Sequence, residues 1–113
     1  MKEIKAIIRL FKLDDVITAL HKIEGLPGIT ISEIKGFGKS KEKSDGETID
    51  EKLHQLAPKI KIEIVVHNDF VDEIVNTIQR TAHTGNPGDG KIFVTEVSYV
   101  VKIRTNERGE NAI

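Results

Sequence analysis

Hydrophobic residues follow three successive patterns in the first third of the chain, and each pattern predicts one element. Residues 2–9 (KEIKAIIR) form a short segment rich in β-branched side chains, which favours a strand. In KLDDVITALHKIEG an apolar stripe has helical spacing, and Gly25 with Pro27 should end the helix; the stripe consists of Leu13, Val16, Ile17 and Leu20. GITISEIKG then alternates Ile29 and Ile31 with polar residues, as a strand with one covered face does.

The second half of the chain repeats this order. KIKIEIVV has the clearest period of two in the sequence, which predicts a strand with Ile60, Ile62, Ile64 and Val66 on one face. HNDFVDEIVNTIQRTA again has helical spacing, and Asn68 and Asp69 are candidates for the N-cap. In KIFVTEVSYVVKIRT, residues 91–105, a strand is predicted because Val97, Tyr99, Val101 and Ile103 alternate with polar or smaller residues.

Two β-α-β units in one short chain predict an α+β fold of the ferredoxin-like type, βαββαβ, with four antiparallel strands and both helices on one face. Several predicted strands carry aliphatic side chains on both sides. The face without helices would therefore expose apolar surface, which invites a ligand or another subunit. We expect an oligomer.

Composition narrows the class of protein. A chain of 113 residues with 38% hydrophobic content is one domain, and its formal net charge of −1 gives no reason to expect a nucleic-acid partner. An RNA-recognition sheet would need stacking aromatic residues, whereas only Phe93 and Tyr99 lie on the last predicted strand. The chain has no cysteine and no apolar run near the ~18 residues of a membrane span, so we expect a cytoplasmic protein without direct membrane insertion.

Neither catalysis nor metal binding has a positive signal in the sequence. The four histidines are scattered along the chain, at His21, His54, His67 and His83, and do not form a metal-binding pattern. No serine has a nucleophile-elbow pattern. We therefore expect a protein that is not an enzyme. The long connection from Lys35 to Lys59 lacks a period and is basic first and acidic second. It is either a solvated insertion or a loop that reaches for a partner.

TGNPGDGK, residues 84–91, fits the G-x-x-x-x-G-K skeleton of a phosphate-binding loop. Ile92 stands where that loop needs Ser or Thr for magnesium, and the segment leads from a helix into a strand rather than the reverse. These two differences argue against a P-loop NTPase. Two interpretations stay open: an anion-binding nest of glycine N–H groups with Lys91 beside it, or a turn with a glycine C-cap.

Several stretches together resemble the nitrogen regulatory P-II signalling family: KAIIRLFKLDDVITAL, EIKGFGKSK, PKIKIEIVV, RTAHTGNPGDGKIFV and VKIRT. The resemblance covers nearly the whole chain and implies one domain, 1–113, with a T-loop at about 37–58, a phosphate loop at about 83–91 and a C-terminal tail at about 105–113. It implies a homotrimer that is not an enzyme. Its effectors would be ATP or ADP, with magnesium as a companion of ATP, bound in clefts between subunits.

Site residues follow from the same resemblance. The phosphate loop corresponds to Gly88, Asp89, Gly90 and Lys91, and the T-loop base to Gly36, Phe37, Gly38 and Lys39. The positions that line the nucleotide correspond to Thr30, Glu63, Val65 and Thr84. Lys102 and Arg104 match two basic positions of the last strand, which reach phosphates from the neighbouring subunit.

Departures from the family pattern concentrate in the T-loop. Ser40 replaces the usual glutamine of the magnesium and 2-oxoglutarate site, which argues against 2-oxoglutarate sensing although Lys59 matches a lysine used near that ligand. Uridylylation is absent because Lys52 stands at the tyrosine position, and Thr48 replaces an arginine that enters ammonium channels. The partner-binding loop would use Lys41, Lys43, Thr48 and Lys52 on a membrane transporter or a cytoplasmic enzyme. The alternative is a trimeric interaction scaffold that has lost effector sensing.

Overall fold

A computed structural model describes residues 1–37 and 56–113 of the chain. Six principal elements alternate as the sequence predicts: β1 Lys2–Arg9, α1 Leu13–His21, β2 Thr30–Gly36, β3 Ala57–Val66, α2 Val71–Ala82 and β4 Lys91–Glu96. Short 3-10 helices occupy Leu10–Lys12, Asn68–Phe70 and Gly109–Ala112. Each half of the chain is therefore a strand, a helix and a strand.

The four strands form one antiparallel sheet in the order β2-β3-β1-β4. β1 lies in the middle and pairs with both β3 and β4, so Ala6 stands opposite Ile62 on one side and Ile92 on the other. This order places the second strand of each unit at an edge, as in the ferredoxin-like arrangement. The predicted fold class is confirmed.

The core fills the space between the sheet and the two helices. Alternate residues of β1 and β3 point into it and are almost completely buried: Ile4, Ala6, Ile8, Ile60, Ile62, Ile64 and Val66. The helices complete it from one side with the predicted stripes, of which Val16, Leu20, Ile74 and Ile78 are fully buried. The period of two in the strands and of 3.6 in the helices thus explains the burial of each side chain.

The opposite face of the sheet carries a mixture of charged and apolar side chains. Neither α1 nor α2 packs on this open face, where the ammonium of Lys5 lies 5.3 Å from the centroid of the Phe93 ring. At one end of the face, Ala112 of the last 3-10 helix lines a cavity together with Glu3 and Val65. Phe93 is 45% exposed, although it belongs to a strand in the sheet. The expected uncovered face with apolar content is present.

Two sequence predictions need correction. β4 ends at Glu96, so the strand predicted for residues 91–105 is less than half as long as expected. The reason is its partner: Glu96 pairs with Lys2 and Val97 donates to the carbonyl of Met1, after which β1 offers no further backbone groups. Asn68 and Asp69 do not cap α2; they form a 3-10 turn, and α2 follows Phe70 without a side-chain cap.

Neither helix in the described part of the chain is both long and apolar enough to cross a membrane.

Candidate functional site

The segment 83–90 joins the end of α2 to the start of β4 and forms the phosphate loop predicted from the sequence. His83, the residue after α2, is extended, so the helix does not end on a glycine C-cap. Gly88 and Gly90 both have φ near +100°, whereas Asp89 between them does not have a positive φ. Successive residues of alternating handedness turn their N–H groups to one side, which is the geometry of an anion-binding nest.

Asp89 holds this loop together from within. Its Oδ2 accepts hydrogen bonds from the N–H groups of Thr84 and Gly85, both at 2.9 Å, and its Oδ1 accepts from the Thr84 hydroxyl. These hydrogen bonds, first of all those from Thr84, hold the pKa of the Asp89 carboxyl well below its usual range. Asp89 and Thr84 are predicted nucleotide contacts, and in this structure their polar groups organise the loop.

Two basic side chains from the sheet hold the outside of the loop. Arg9, at the end of β1, donates from Nε to Asp89 Oδ1 at 3.0 Å and from Nη2 to the carbonyl of Pro87 at 2.7 Å. Lys59, which pairs with Arg9 across β1 and β3, donates to the carbonyl of Gly88 at 2.6 Å. Burial and the charge of Arg9 lower the pKa of Lys59, with Asp89 acting in the opposite direction.

The loop leaves backbone donors available. None of the hydrogen bonds found within residues 1–37 and 56–113 uses the N–H groups of Gly88, Asp89 or Gly90. Lys91 follows directly and is exposed at the start of β4. Three consecutive free donors between cationic side chains make a site for an anion, and the repulsion between Arg9 and Lys59 would fall when an anion arrives.

Gly36, at the end of β2, belongs to the same corner of the molecule. A Cβ atom at Gly36 would lie 3.2 Å from Cγ of Lys59, so the stem of Lys59 passes directly over this glycine while its head holds Gly88. Phe37 follows and is 54% exposed. The structure therefore joins the predicted T-loop base to the phosphate loop through Lys59.

A cavity of about 350 Å³ lies further along β3 and is lined by three of the predicted nucleotide-lining residues, Thr30, Glu63 and Val65. Thr30 pairs with Glu63 across β2 and β3, so both side chains are on the open face. Four residues of strand separate Glu63 from Lys59, which corresponds to about 13 Å. The remaining walls include Glu3, Val100, Ala112 and Ile113.

Lys102 and Arg104 lie far from the phosphate loop of their own chain. The loop meets the sheet where Lys91 pairs with Ile7, whereas both basic residues follow the other end of β4, where Glu96 pairs with Lys2. The length of the strand between these ends is about 17–20 Å. They also lie beyond the last strand rather than on it, which corrects their predicted placement. One chain cannot bring them to its own loop without unpairing β4.

The other predicted contacts fall on residues that the structure does not describe, namely Gly38, Lys39, Lys41, Lys43, Thr48 and Lys52. In the described part of the chain, no group of His, Asp and Glu side chains is arranged to hold a metal ion.

Arg9 is the site residue that the sequence interpretation missed. It is the last residue of β1, and the alternation that buries Ile4, Ala6 and Ile8 places Arg9 on the open face beside Lys59. That alternation was visible in the sequence. Its contact with Asp89, 80 positions away, was not, because it requires the β1-β4 pairing.

The fold and the loop together define a small ferredoxin-like domain with an open sheet face and a corner suited to an anion. Residues 1–107 match the family model described as nitrogen regulatory protein P-II, and the chain belongs to this family. It is 51% identical to nitrogen regulatory protein P-II 1 of Escherichia coli K12 and 50% identical to nitrogen regulatory protein P-II of Azospirillum brasilense, each time over 100% of both chains. These relatives are named as regulatory proteins rather than as enzymes.

The structural comparison agrees. The crystal structure of Arabidopsis thaliana PII bound to citrate superimposes with a TM-score of 0.80 at 42% sequence identity, covering 99% of this chain and 91% of that one. The protein therefore has a signalling or regulatory role of the P-II type.

Proposed function

We propose that this chain is a P-II regulator that binds ATP or ADP between two subunits of a homotrimer and controls a target protein through the loop between β2 and β3. The observation that carries the proposal is a set of N–H groups, at Gly88, Asp89 and Gly90, that have no acceptor within residues 1–37 and 56–113. Arg9, Lys59 and Lys91 flank them. This arrangement is suited to a phosphate chain, whose oxygens accept hydrogen bonds and carry negative charge.

The rest of the nucleotide would extend along the open face. The cavity at Thr30, Glu63 and Val65 is about 13 Å from Lys59 along β3 and offers both polar and apolar walls for a nucleoside. The cleft needs a second copy, because Lys102 and Arg104 cannot reach the phosphate loop of their own chain. P-II proteins form trimers, and the open sheet face of this chain provides the apolar surface for that assembly.

Lys59 connects the bound nucleotide to the output loop. Its ammonium holds the carbonyl of Gly88 and its stem covers Gly36, so a ligand that attracts the ammonium would disturb both contacts. Residues 38–55 begin directly after this corner. ATP and ADP would shift the loop population because they differ in what they offer to Lys59, and a target that fits one population responds to the nucleotide.

The proposed targets are a membrane transporter or a metabolic enzyme, and magnesium is the proposed companion of ATP. Ser40 in place of glutamine argues against 2-oxoglutarate as a co-effector, since its hydroxyl cannot reach as far as an amide two carbons further out. The Arabidopsis relative is bound to citrate. That carboxylate anion supports the general capacity of this fold for small anionic ligands.

Calorimetric titration with ATP, ADP and AMP, with and without magnesium, tests the proposal. We expect ATP or ADP to bind, and Lys91→Ala to weaken binding by about tenfold, as the loss of a charged phosphate contact does. Lys22→Ala, on the exposed residue after α1, is the matched control and should bind as the wild type does.

A trimer that gives no heat with any of these nucleotides at millimolar concentration would overturn the proposal and favour the interaction scaffold. Tight binding of 2-oxoglutarate together with Mg-ATP would contradict the argument from Ser40.

A further inference from the structure

Beyond the sheet, the chain forms a small hairpin of its own between residues 100 and 109. Lys102 donates to the carbonyl of Glu107 at 2.9 Å, Asn106 donates to the carbonyl of Lys102 at 2.8 Å, and Gly109 donates to Val100 at 2.9 Å. Asn106 turns the chain with φ of +62°, a conformation that asparagine tolerates better than most residues. The chain is anchored on both sides of the hairpin. Before it, the N–H of Val97 donates to the carbonyl of Met1, and after it, the side chain of Ala112 is buried.

Arg108 fastens this hairpin from the side. Its Nη1 donates to the hydroxyl of Tyr99 at 2.6 Å and its Nη2 donates to Oδ1 of Asn106 at 3.0 Å. The guanidinium carbon also lies 5.8 Å from the centroid of the Tyr99 ring. One side chain thus joins the segment that leads into the hairpin to the residue that turns it. Because guanidinium is planar with fixed donor directions, these contacts define an orientation that a flexible lysine would not.

The residues presented by the hairpin are those at its turn. Ile103 is 98% exposed, and Lys102 is kept 3.9 Å from the carboxylate of Glu107. Arg104 makes no hydrogen bond or ion pair with any residue in 1–37 or 56–113. Arg104 is a cation with no partner among the described residues, on a hairpin whose turn is exposed, and it is therefore available to a second molecule.

We propose that Arg108, through Tyr99 and Asn106, is a positioning residue that fixes the hairpin so that Lys102 and Arg104 contact the phosphates bound by a neighbouring copy of the chain. This inference rests on the proposed nucleotide site. Arg108 itself touches no ligand. Its effect is to order the two cations before binding, so that association does not have to immobilise them.

The proposal has a distinctive consequence for ligands that differ only in phosphate number. Lys102 and Arg104 would act on the phosphate chain and not on the nucleoside. A more flexible hairpin should therefore reduce the affinity for ATP more than the affinity for AMP. A general loss of folding or of subunit contact would instead reduce the affinity for both ligands to the same extent.

The test compares four single variants and one double variant of the full-length protein. Calorimetry measures the binding of ATP and AMP, light scattering measures the assembly, and amide hydrogen exchange measures the order of residues 97–109. Arg108→Ala removes the fastening, Tyr99→Phe removes one acceptor and keeps the ring, and Asn106→Gly removes the other acceptor while allowing the positive φ. Arg80→Ala, on the exposed side of α2, is the control.

We expect Arg108→Ala to lower the affinity for ATP about tenfold and the affinity for AMP less than threefold. Amide exchange in the hairpin should become faster, and the trimer should be unchanged. Tyr99→Phe and Asn106→Gly should each give a smaller loss, and Arg80→Ala none. Adding Tyr99→Phe to Arg108→Ala should cause no further loss, because both changes remove the same contact.

Equal weakening of ATP and AMP, unchanged ATP affinity despite faster exchange, or dissociation of the trimer would each overturn the positioning role. If the wild type binds no nucleotide, the proposed function fails first and this inference fails with it. If the wild type binds ATP and Arg108→Ala binds equally well, only this inference fails.

Discussion

At the scale of a single residue, Gly90 shows how closely the phosphate loop approaches the sheet. Its φ of +100° is one that residues with a Cβ avoid, and a Cβ atom there would lie 1.7 Å from the carbonyl oxygen of Ile7. Gly88 has the same φ, but the described atoms nearest to a Cβ there belong to the guanidinium of Arg9, the first at 3.2 Å. The two glycines therefore share a backbone requirement and differ in what surrounds them.

Gly90→Ala should lower the free energy of unfolding by about 3–4 kcal/mol, because neither the loop nor β1 can withdraw its backbone without losing pairs. Gly88→Ala should cost about 1–2 kcal/mol, the strain of the positive φ alone, since the Arg9 side chain can move. Urea denaturation of both variants at one protein concentration measures the difference. Equal losses for the two variants would contradict a contact between Gly90 and Ile7.

At the scale of an element, the loop between α2 and β4 is ordered mainly by the carboxylate of Asp89. Asp89 accepts from Thr84, Gly85 and Arg9, and these bonds need its ionised form. The pKa of Asp89 is depressed in the folded chain relative to about 3.9 in an unfolded one. The stabilisation is therefore fully present above about pH 4 and is lost as the pH falls below this value toward the folded pKa.

Asp89→Asn tests this dependence. Above about pH 5 the variant should be less stable than the wild type, because an amide offers one acceptor oxygen where the carboxylate offers two. Between about pH 4 and pH 2 the difference should shrink as Asp89 of the wild type takes up a proton. Urea denaturation between about pH 7 and pH 2 measures the difference in stability between the variant and the wild type. Glu24→Gln, at an exposed position, is the control. A difference that stays constant with pH would show that the charge of Asp89 does not organise the loop.

At the scale of the whole molecule, the sheet has one face that packs against the helices and an open face that we propose is buried between copies of the chain. Both faces of β1 contain isoleucine, but Ile8 is buried under the helices and Ile7 is only partly covered. Phe93 shares the open face with Lys5 and Glu63. Apolar side chains among charges that can pair are typical of a surface that is buried on assembly.

Phe93→Asp should convert the proposed trimer to monomers at micromolar concentration, because assembly would bury a carboxylate beside Lys5 in place of an apolar ring, and removing two charges from water is costly even when they pair. Lys22→Asp is the matched control: Lys22 is exposed and follows α1, which packs on the other face of the sheet, and its variant should remain a trimer. Sedimentation velocity distinguishes the two. A wild type that sediments as a monomer, or a trimeric Phe93→Asp, would contradict the assignment of the open face.

Local patterns in the sequence were enough to predict the element order and the core. The period of two in KIKIEIVV specified which side of β3 is buried, and the stripes of Val16 with Leu20 and of Ile74 with Ile78 specified the helix faces. These predictions succeed because the burial of an apolar side chain depends on the face it occupies, and the face depends on position within a regular element. The family resemblance added the phosphate loop and its glycines.

Only the tertiary structure decided where β4 ends and what the loop residues do. Alternation in the sequence continues past Glu96, but a strand needs a neighbour, and β1 begins at Lys2. The pattern also could not show that Asp89 faces inward to Thr84, that Arg9 holds the loop, or that Lys102 and Arg104 lie at the opposite end of the sheet from it. Each of these depends on contacts between residues far apart in the chain, which hydrophobic periodicity does not encode because it reports only the side of an element that is buried.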